Sequence, residues 1–286
     1  TILENLTRRP LAAGDLLIIK PSHDELLGLP CLPDVAALKD QPVDLLLLAL
    51  PAVAAVETLE KLIQQGGGAR CVALVAGGIG DGADHAELGL RVAAALHLAR
   101  SAGRWTPAVL GPNFLGHWVP ARGLNTSFIP AAKLAAPSTQ GGELTLLSQS
   151  GAFLLCLQSR LPALRFGLGV ALGNQLDVAL CDVLAALAAE PGTGPVACYV
   201  EGFGPGQLPV AAEAIKRLCA RGRTVLLHRA GRTAAGQAAA ASHTGAMAGD
   251  TVLERALLER AGARFADTIA GFDAALLWLA AYPRLQ

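Results

Sequence analysis

Side chains able to cradle an anion or to act as nucleophile or general base gather in a few short segments rich in small residues. Ser148-Gln149-Ser150-Gly151 joins an apolar run, Leu144–Ser148, to a helical pattern that starts near Ala152. Free N–H groups at a helix start, the helix dipole and two hydroxyls together make a phosphate cradle. Serine is also a favoured helix N-cap, and these residues alone leave both readings open. Ala241-Ser242-His243-Thr244-Gly245-Ala246-Met247-Ala248-Gly249 surrounds one imidazole with small neighbours, so a ligand can approach closely. A histidine held there can act as nucleophile or general base. Taken by itself, His243 reads first as an exposed loop histidine. Glu201 follows the apolar run Val196–Val200. A carboxylate there can accept a histidine's second ring N–H and fix its tautomer, or it can cap a helix or pair with a cation. Asn174 and Asp177 lie in another junction, Gly173–Val178, where Asp177 is expected to cap the next helix.

Other chemistries find no pattern. Gly77-Gly78-Ile79-Gly80-Asp81-Gly82 and Gly202-Phe203-Gly204-Pro205-Gly206 do not match GxGxxG, and no P-loop, GxSxG elbow or HExxH occurs. The six cysteines are scattered, and His23, His85, His97, His117 and His228 lack metal-ligand spacing, so no metal site is expected. The cysteines read as reduced core residues of a cytoplasmic protein.

These junctions need strands and helices to hold them. Strand candidates are Leu16–Lys20, Leu45–Leu50, Cys71–Ala76, Ala108–Gly111, Leu144–Ser148, Gly167–Leu172, Val196–Val200, Thr224–Arg229 and Ala263–Ala266. Between them Ala52–Gln65, Glu87–Ala102, Val178–Ala189 and Val210–Ala220 carry apolar residues at three- and four-residue spacing. Continuous apolar strands alternating with helices predict an α/β protein with parallel sheets covered on both faces. The stretch 129–142, rich in Pro, Ala, Ser and Gly, marks the expected boundary between domains 1–133 and 134–286. In such sheets ligands bind beyond the carboxyl ends of the strands, where the segments above lie.

Bulk properties agree. In 286 residues, 52% are hydrophobic and 16% charged, which excludes a disordered chain, and zero formal net charge offers no broad basic surface for nucleic acid. The longest apolar run, Leu45–Val56, is broken by Pro51 and too short to cross a bilayer. The only methionine is Met247, so the chain is expected to be part of a longer or processed polypeptide.

Read in order, the segments resemble one family. Gly111-Pro112-Asn113-Phe114-Leu115-Gly116 is similar to its GPNCLG loop, with Phe114 in place of Cys, and Gly123–Phe128 to the GLNATF stretch after it. Ser148–Gly151 matches SQSG, Leu172–Val178 resembles LGNKADV, and Glu201-Gly202 and Ala230-Gly231-Arg232 match further junctions. Ser242–Gly249 matches SHTGALAG with Met247 replacing Leu. The resemblance is to NDP-forming acyl-CoA synthetases, relatives of the succinyl-CoA synthetase alpha subunit, and it spans nearly the whole chain.

That resemblance implies a Rossmann-like CoA-binding domain followed by a flavodoxin-like domain. It makes His243 a phosphorylated histidine, Glu201 the acid that orients it, and Ser148, Ser150, Gly151 and Gly245 the phosphate-binding residues. It places CoA against Lys20, Pro21, Ser22, Pro51, Ala52, Gly77, Gly78 and Asn113. The implied reaction uses acyl-CoA, phosphate and ADP/ATP, the nucleotide with Mg being bound by an ATP-grasp partner domain or subunit; the acid is a small carboxylic acid, and an oligomer is expected. The family's first strand and Gly-rich loop precede the match to Thr1–Leu6, and Gly271–Ala275 with Tyr282-Pro283 resembles the helix leading into a third domain. A CoA-sensing regulatory module of a protein lysine acetyltransferase is the alternative, although those members often degrade the histidine loop kept here. A NAD-dependent dehydrogenase would need the missing GxGxxG and an acid about 20 residues beyond it.

Overall fold

Val43–Leu48, one polar residue among aliphatics, forms strand β4, and the chain around it builds a βαβ unit. In a computed structural model, residues 1–8, 15–81, 85–130, 132–134, 141–192, 194–231 and 251–284 are described. They fall into two compact units, Arg9–Phe114 and Thr1–Arg8 with Leu115–Gln286.

In the first unit β1 (Ile18–Ile19) pairs parallel with β3 (Leu29–Leu32), and β2 (Glu25–Leu26) pairs antiparallel with β3. A separate parallel sheet takes the order β4, β5 (Ala69–Leu74), β6 (Ala108–Leu110), with Leu48 opposite Leu74 and Ala73 opposite Leu110. Helix α2 (Ala52–Gln65) follows β4, buries Ala55, Val56, Leu59, Leu62 and Ile63 on one stripe, and ends at Gly66. Helix α3 (Ala86–Ser101) connects β5 to β6 and buries Val92, Leu96 and Ala99. Phe114, where the family motif carries Cys, is wholly buried and fills this core.

The second unit starts with α1 (Ile2–Thr7), whose buried Asn5 donates from Nδ2 to Ser127 O at 2.8 Å and Ile129 O at 3.0 Å. Its seven-stranded sheet runs β13-β12-β11-β9-β10-β7-β8. Here β7 is Gly116–Val119, β8 Leu124–Asn125, β9 Thr145–Ser148, β10 Leu168–Ala171, β11 Val196–Val200, β12 Val225–Arg229 and β13 Arg264–Phe265. The five strands from β9 onward are parallel and stand in flavodoxin-like order 2-1-3-4-5. The hairpin β7–β8 adds an antiparallel edge, with Val170 opposite His117. That hairpin moves the division of the chain to Phe114/Leu115, because its hydrogen bonds join it to β10 and not to the first unit, in which a boundary at 133/134 had placed it.

Helix α4 (Gly151–Arg160) and α8 (Ile269–Ala281) share one layer, where Phe153 stacks on Tyr199 at 3.7 Å between centroids and Phe272 meets His228 at 5.7 Å. Helices α5 (Leu180–Ala189), α6 (Gln207–Ala220) and α7 (Thr251–Arg260) form a second, α5 packing on α6 and α6 on α7. Leu146, Leu154, Leu157, Ala197 and Leu276 lie in the core beneath α4 and α8. None of the six cysteines forms a disulfide, and Cys181 and Cys198 are buried as expected, but Cys156 is exposed because it faces outward from α4. No helix among the described residues is long and apolar enough to cross a membrane.

Candidate functional site

In a 2-1-3-4-5 sheet the connections leave the first and third strands in opposite directions, so a crevice opens between their carboxyl ends. Those strands are β9 and β11, and the residues that follow them are Ser148-Gln149-Ser150-Gly151 and Glu201-Gly202. The fold therefore brings Ser148, Ser150, Gly151 and Glu201 to neighbouring strand ends.

Gln149 ties the two ends together. Its buried side chain accepts at Oε1 from Glu201 N–H (2.5 Å) and Gly202 N–H (3.0 Å) and donates from Nε2 to Gly202 O (2.8 Å). It also reaches Gln175 Oε1 at 3.3 Å in the loop after β10, while its own N–H donates to Tyr199 O at 3.1 Å. On the other side of β11, Arg229 at the end of β12 donates from Nη1 to the carbonyls of Glu201 and Ala230. Its Nε pairs with Glu254 of α7 at 2.8 Å, and both side chains are nearly buried, 11% and 9% exposed. Beside this turn a cavity of about 250 Å³ opens among Val200, Phe203, Leu227 and Phe265, with the ion pair on its wall. Burial, and after it the Glu201 carboxylate, raises the Tyr199 phenol above its ordinary range.

The two serines have different duties. Ser148 is buried, and its Oγ donates to Ser150 O (2.6 Å) and accepts from Ser150 N–H (3.2 Å), so it closes the turn. Ser150 is the N-cap of α4 and accepts from Phe153 N–H at 3.3 Å. The N–H groups of Gly151 and Ala152 open a ten-residue helix and have no acceptor four residues back within it, an arrangement that suits an anion. Gly151 is small for a packing reason, since a Cβ there would stand 2.9 Å from Leu115 Cβ.

One expectation changes. Asp177 does not cap α5, whose N-cap is Ala179; Gln175 Oε1 accepts from Leu180 N–H (2.7 Å) and Asp182 from Ala179 N–H (2.8 Å) instead. Asn174 lies in the same loop after β10. His243 and Gly245, with Arg232, lie outside the described residues. The other histidines carry no ligand set: His228 is buried and donates to Ala266 O at 2.9 Å, His97 is exposed, and burial lowers His117, beside Thr126, to about 4. Among the described residues no group of His, Cys, Asp and Glu could hold a metal ion.

In the first unit, the carboxyl ends of β4, β5 and β6 collect Pro51 and Ala52, Gly77 and Gly78, and Asn113. A Cβ on Gly77 would stand 3.5 Å from Asp81 Oδ2 and 3.7 Å from Asn113 Oδ1, and one on Gly78 3.9 Å from Ala52 Cβ, so these residues are neighbours. Asp81 accepts from Gly78 N–H at 2.6 Å. Helix α2 begins after Pro51 with no side-chain cap, so its first N–H groups have no acceptor within the helix, an arrangement that suits an anionic group. This small-residue floor with helix-start donors fits a bound phosphate-bearing ligand such as CoA. Lys20, Pro21 and Ser22 follow β1 in the separate small sheet, and no strand ladder among the described residues links them to β4. Gln149, Arg229, Glu254 and Asp81 were missed in the sequence. Gln149 was visible only as the filler between two serines, and Arg229 and Glu254 stand 25 residues apart with no local pattern.

A second cavity, about 210 Å³, lies among Trp118, Leu157, Leu161 and Phe166 at the far end of α4 from Ser150 and belongs to neither cluster.

Residues 1–116 match the CoA binding domain, and residues 141–279 match the succinyl-CoA ligase like flavodoxin domain. Over 283 residues the chain is 30% identical to acetate–CoA ligase [ADP-forming] I of Archaeoglobus fulgidus, covering 98% of this chain and 38% of that protein. The chain belongs to the ADP-forming acyl-CoA synthetase family. Another member, the alpha subunit of acetate–CoA ligase [ADP-forming] I of Pyrococcus furiosus, is 31% identical over 232 residues, 79% of this chain and 46% of that subunit. The acetyl-coenzyme A synthetase 1 of Ca. Korarchaeum cryptofilum, solved with phosphate and ADP, superposes with a TM-score of 0.80 at 27% identity, covering 97% of this chain and 57% of that one. The chain thus spans less than half the length of the A. fulgidus and P. furiosus proteins. Its family match is to ligases, and the acetyltransferase-sensor alternative gains no support.

Proposed function

We propose that this chain is the CoA-binding and phosphohistidine core of an acid–thiol ligase that interconverts an acyl-CoA, phosphate and a nucleoside diphosphate with a carboxylic acid, CoA and the triphosphate. The observation that carries the reading is the crevice between β9 and β11, where the Ser150 hydroxyl and the start of α4 face the strand end that bears Glu201. An anion site and a fixed carboxylate side by side suit phosphoryl transfer to a neutral imidazole. His243 enters by its match to the family's SHTGALAG motif.

In this reading phosphate attacks the thioester carbonyl; the C–S bond breaks, CoA leaves as the thiol, and an acyl phosphate forms. A His243 ring nitrogen then attacks phosphorus, the P–O bond to the acyl group breaks, and the carboxylate departs. Glu201 accepts the proton-bearing ring nitrogen's hydrogen bond and favours the imidazolium that develops. Ser150 and the N–H groups of Gly151 and Ala152 hold the phosphoryl oxygens, Ser148 shapes their turn, and Gly245 joins the phosphate-binding residues by its place in the matched motif. The phosphoryl group then passes to a terminal oxygen of the diphosphate as the P–N bond breaks, on an ATP-grasp domain or subunit that also holds Mg. The naming of a P. furiosus relative as an alpha subunit and the phosphate and ADP of the K. cryptofilum structure support a second component of this kind. The substrate is a small carboxylic acid, the working form an oligomer, and the compartment the cytoplasm.

The test is labelling with [γ-32P]ATP in the presence of the ATP-grasp component. An acid-labile, base-stable phosphate is expected on this protein, and His243→Ala is expected to abolish it. Unchanged labelling of the variant would overturn the assignment, and unlabelled wild type would return the protein to the sensor reading.

A further inference from the structure

Glu201 has a feature that the phosphohistidine reading does not require. Both of its main-chain polar groups are held by side chains, and those side chains come from the strands on either side of β11. Its N–H is bound by Gln149 Oε1 at 2.5 Å, from the turn after β9, and its carbonyl by Arg229 Nη1, from the end of β12. Neither partner is loose. Gln149 is buried and makes two further bonds to Gly202. Arg229 is fixed through Nε to Glu254 and through Nη1 to Ala230 O at 2.6 Å. A residue just beyond a strand end has only its own φ and ψ to direct its side chain, so clamping both peptide groups fixes where the Cα–Cβ bond points.

We propose that Gln149 and Arg229, the latter braced by Glu254, are positioning residues that aim the Glu201 carboxylate. This rests on the reading of Glu201 as the partner of the phosphorylated imidazole. The guanidinium is required in this role because one planar fork reaches a carboxylate and two carbonyls at once, which an ammonium cannot do. Glutamine is required because one side chain must offer an acceptor to two N–H groups and a donor to a carbonyl. Neither side chain need touch substrate, so both act through Glu201.

The measurement is the single-turnover rate of labelling by [γ-32P]ATP with the ATP-grasp component, across pH, for Gln149→Ala and Arg229→Lys in wild-type and Glu201→Gln backgrounds. Arg229→Lys keeps the charge opposite Glu254 and is the variant that retains the fold. Each is expected to slow labelling about 10- to 100-fold in the wild-type background. Once Glu201→Gln has removed the carboxylate, each is expected to cost no more than about twofold, because groups acting as one unit are non-additive. The acid limb of the pH profile, set by the imidazole, is expected to move down toward that of Glu201→Gln, since a carboxylate that no longer faces the ring no longer favours its charged form. Equal fold losses in both backgrounds with an unmoved limb would overturn the positioning role while leaving the histidine assignment standing. Labelling that survives His243→Ala would instead overturn the reading beneath it.

Discussion

The carboxyl ends of the two parallel sheets are held in different ways. In the first unit the turns after β5 and β6 are tied mainly by the main chain: Phe114 N–H donates to Leu74 O (3.0 Å) and Asn113 N–H to Ala76 O (2.9 Å). Small residues make this closeness possible. Gly111 sits at φ +90°, and a Cβ there would stand 2.6 Å from Leu74 O. In the second unit the equivalent turns are latched by side chains: Gln149 and Arg229 each reach across to the Glu201 turn, and Gln175 meets Gln149. A backbone-tied floor leaves surface open for a long ligand to lie on. A side-chain latch fixes the direction of one functional group. The contrast fits a division between binding and chemistry.

The largest expected effect comes from breaking the latch. Arg229→Met leaves Glu254 with its 9%-exposed carboxylate facing no guanidinium, a change expected to cost about 3–5 kcal/mol. Adding Glu254→Leu is expected to restore most of that loss, because the uncompensated charge goes with it. Urea denaturation of the full chain measures both; a single-variant loss below about 1 kcal/mol would show that the pair is no brace. The matching break in the first unit is Gly111→Ala. Positive φ and the contact with Leu74 O are expected to cost about 2–4 kcal/mol. Its loss of CoA affinity should accompany its loss of stability, since the floor and the fold are there the same backbone. CoA binding that survives unchanged in a destabilised Gly111→Ala protein would separate the two and break the contrast.

The sequence made one half of this contrast easier to read than the other. Helix Ala52–Gln65 and strand Val196–Val200 have the predicted bounds, because apolar spacing and continuous aliphatic runs are local signals. The hairpin β7–β8 was missed because Gly116–Val119, with a histidine and a tryptophan, carries no aliphatic run and gains strand form only by pairing with β10. That single long-range pairing also moved the domain boundary. At the site, Ser150 and Glu201 were legible as junction residues. The latch was not, since Gln149 and Arg229 meet the Glu201 turn across 52 and 28 residues of sequence, which only the strand order brings together. Asp177 was misassigned for a related reason: Gln175 at φ +57° turns its side chain into the capping position first.

The smallest effect on stability sharpens the contrast most. Gly77 is part of the backbone-tied floor, yet its φ lies outside the left-handed region and an added Cβ would meet Asp81 and Asn113 only at ordinary contact distances of 3.5 and 3.7 Å. Gly77→Ala therefore strains nothing, and by narrowing the unfolded ensemble it is expected to leave stability unchanged or raise it by about 0.5 kcal/mol. The same methyl group occupies the space above the floor, between Asp81 and Asn113. If CoA lies there, calorimetric titration with CoA is expected to show binding about tenfold weaker, the cost of one unaccommodated methyl group. Unchanged affinity would move the ligand off this floor, and a loss of 2 kcal/mol or more in stability would mean that the glycine serves the fold. An intact fold with weakened CoA binding is the one outcome that assigns the open surface to a ligand.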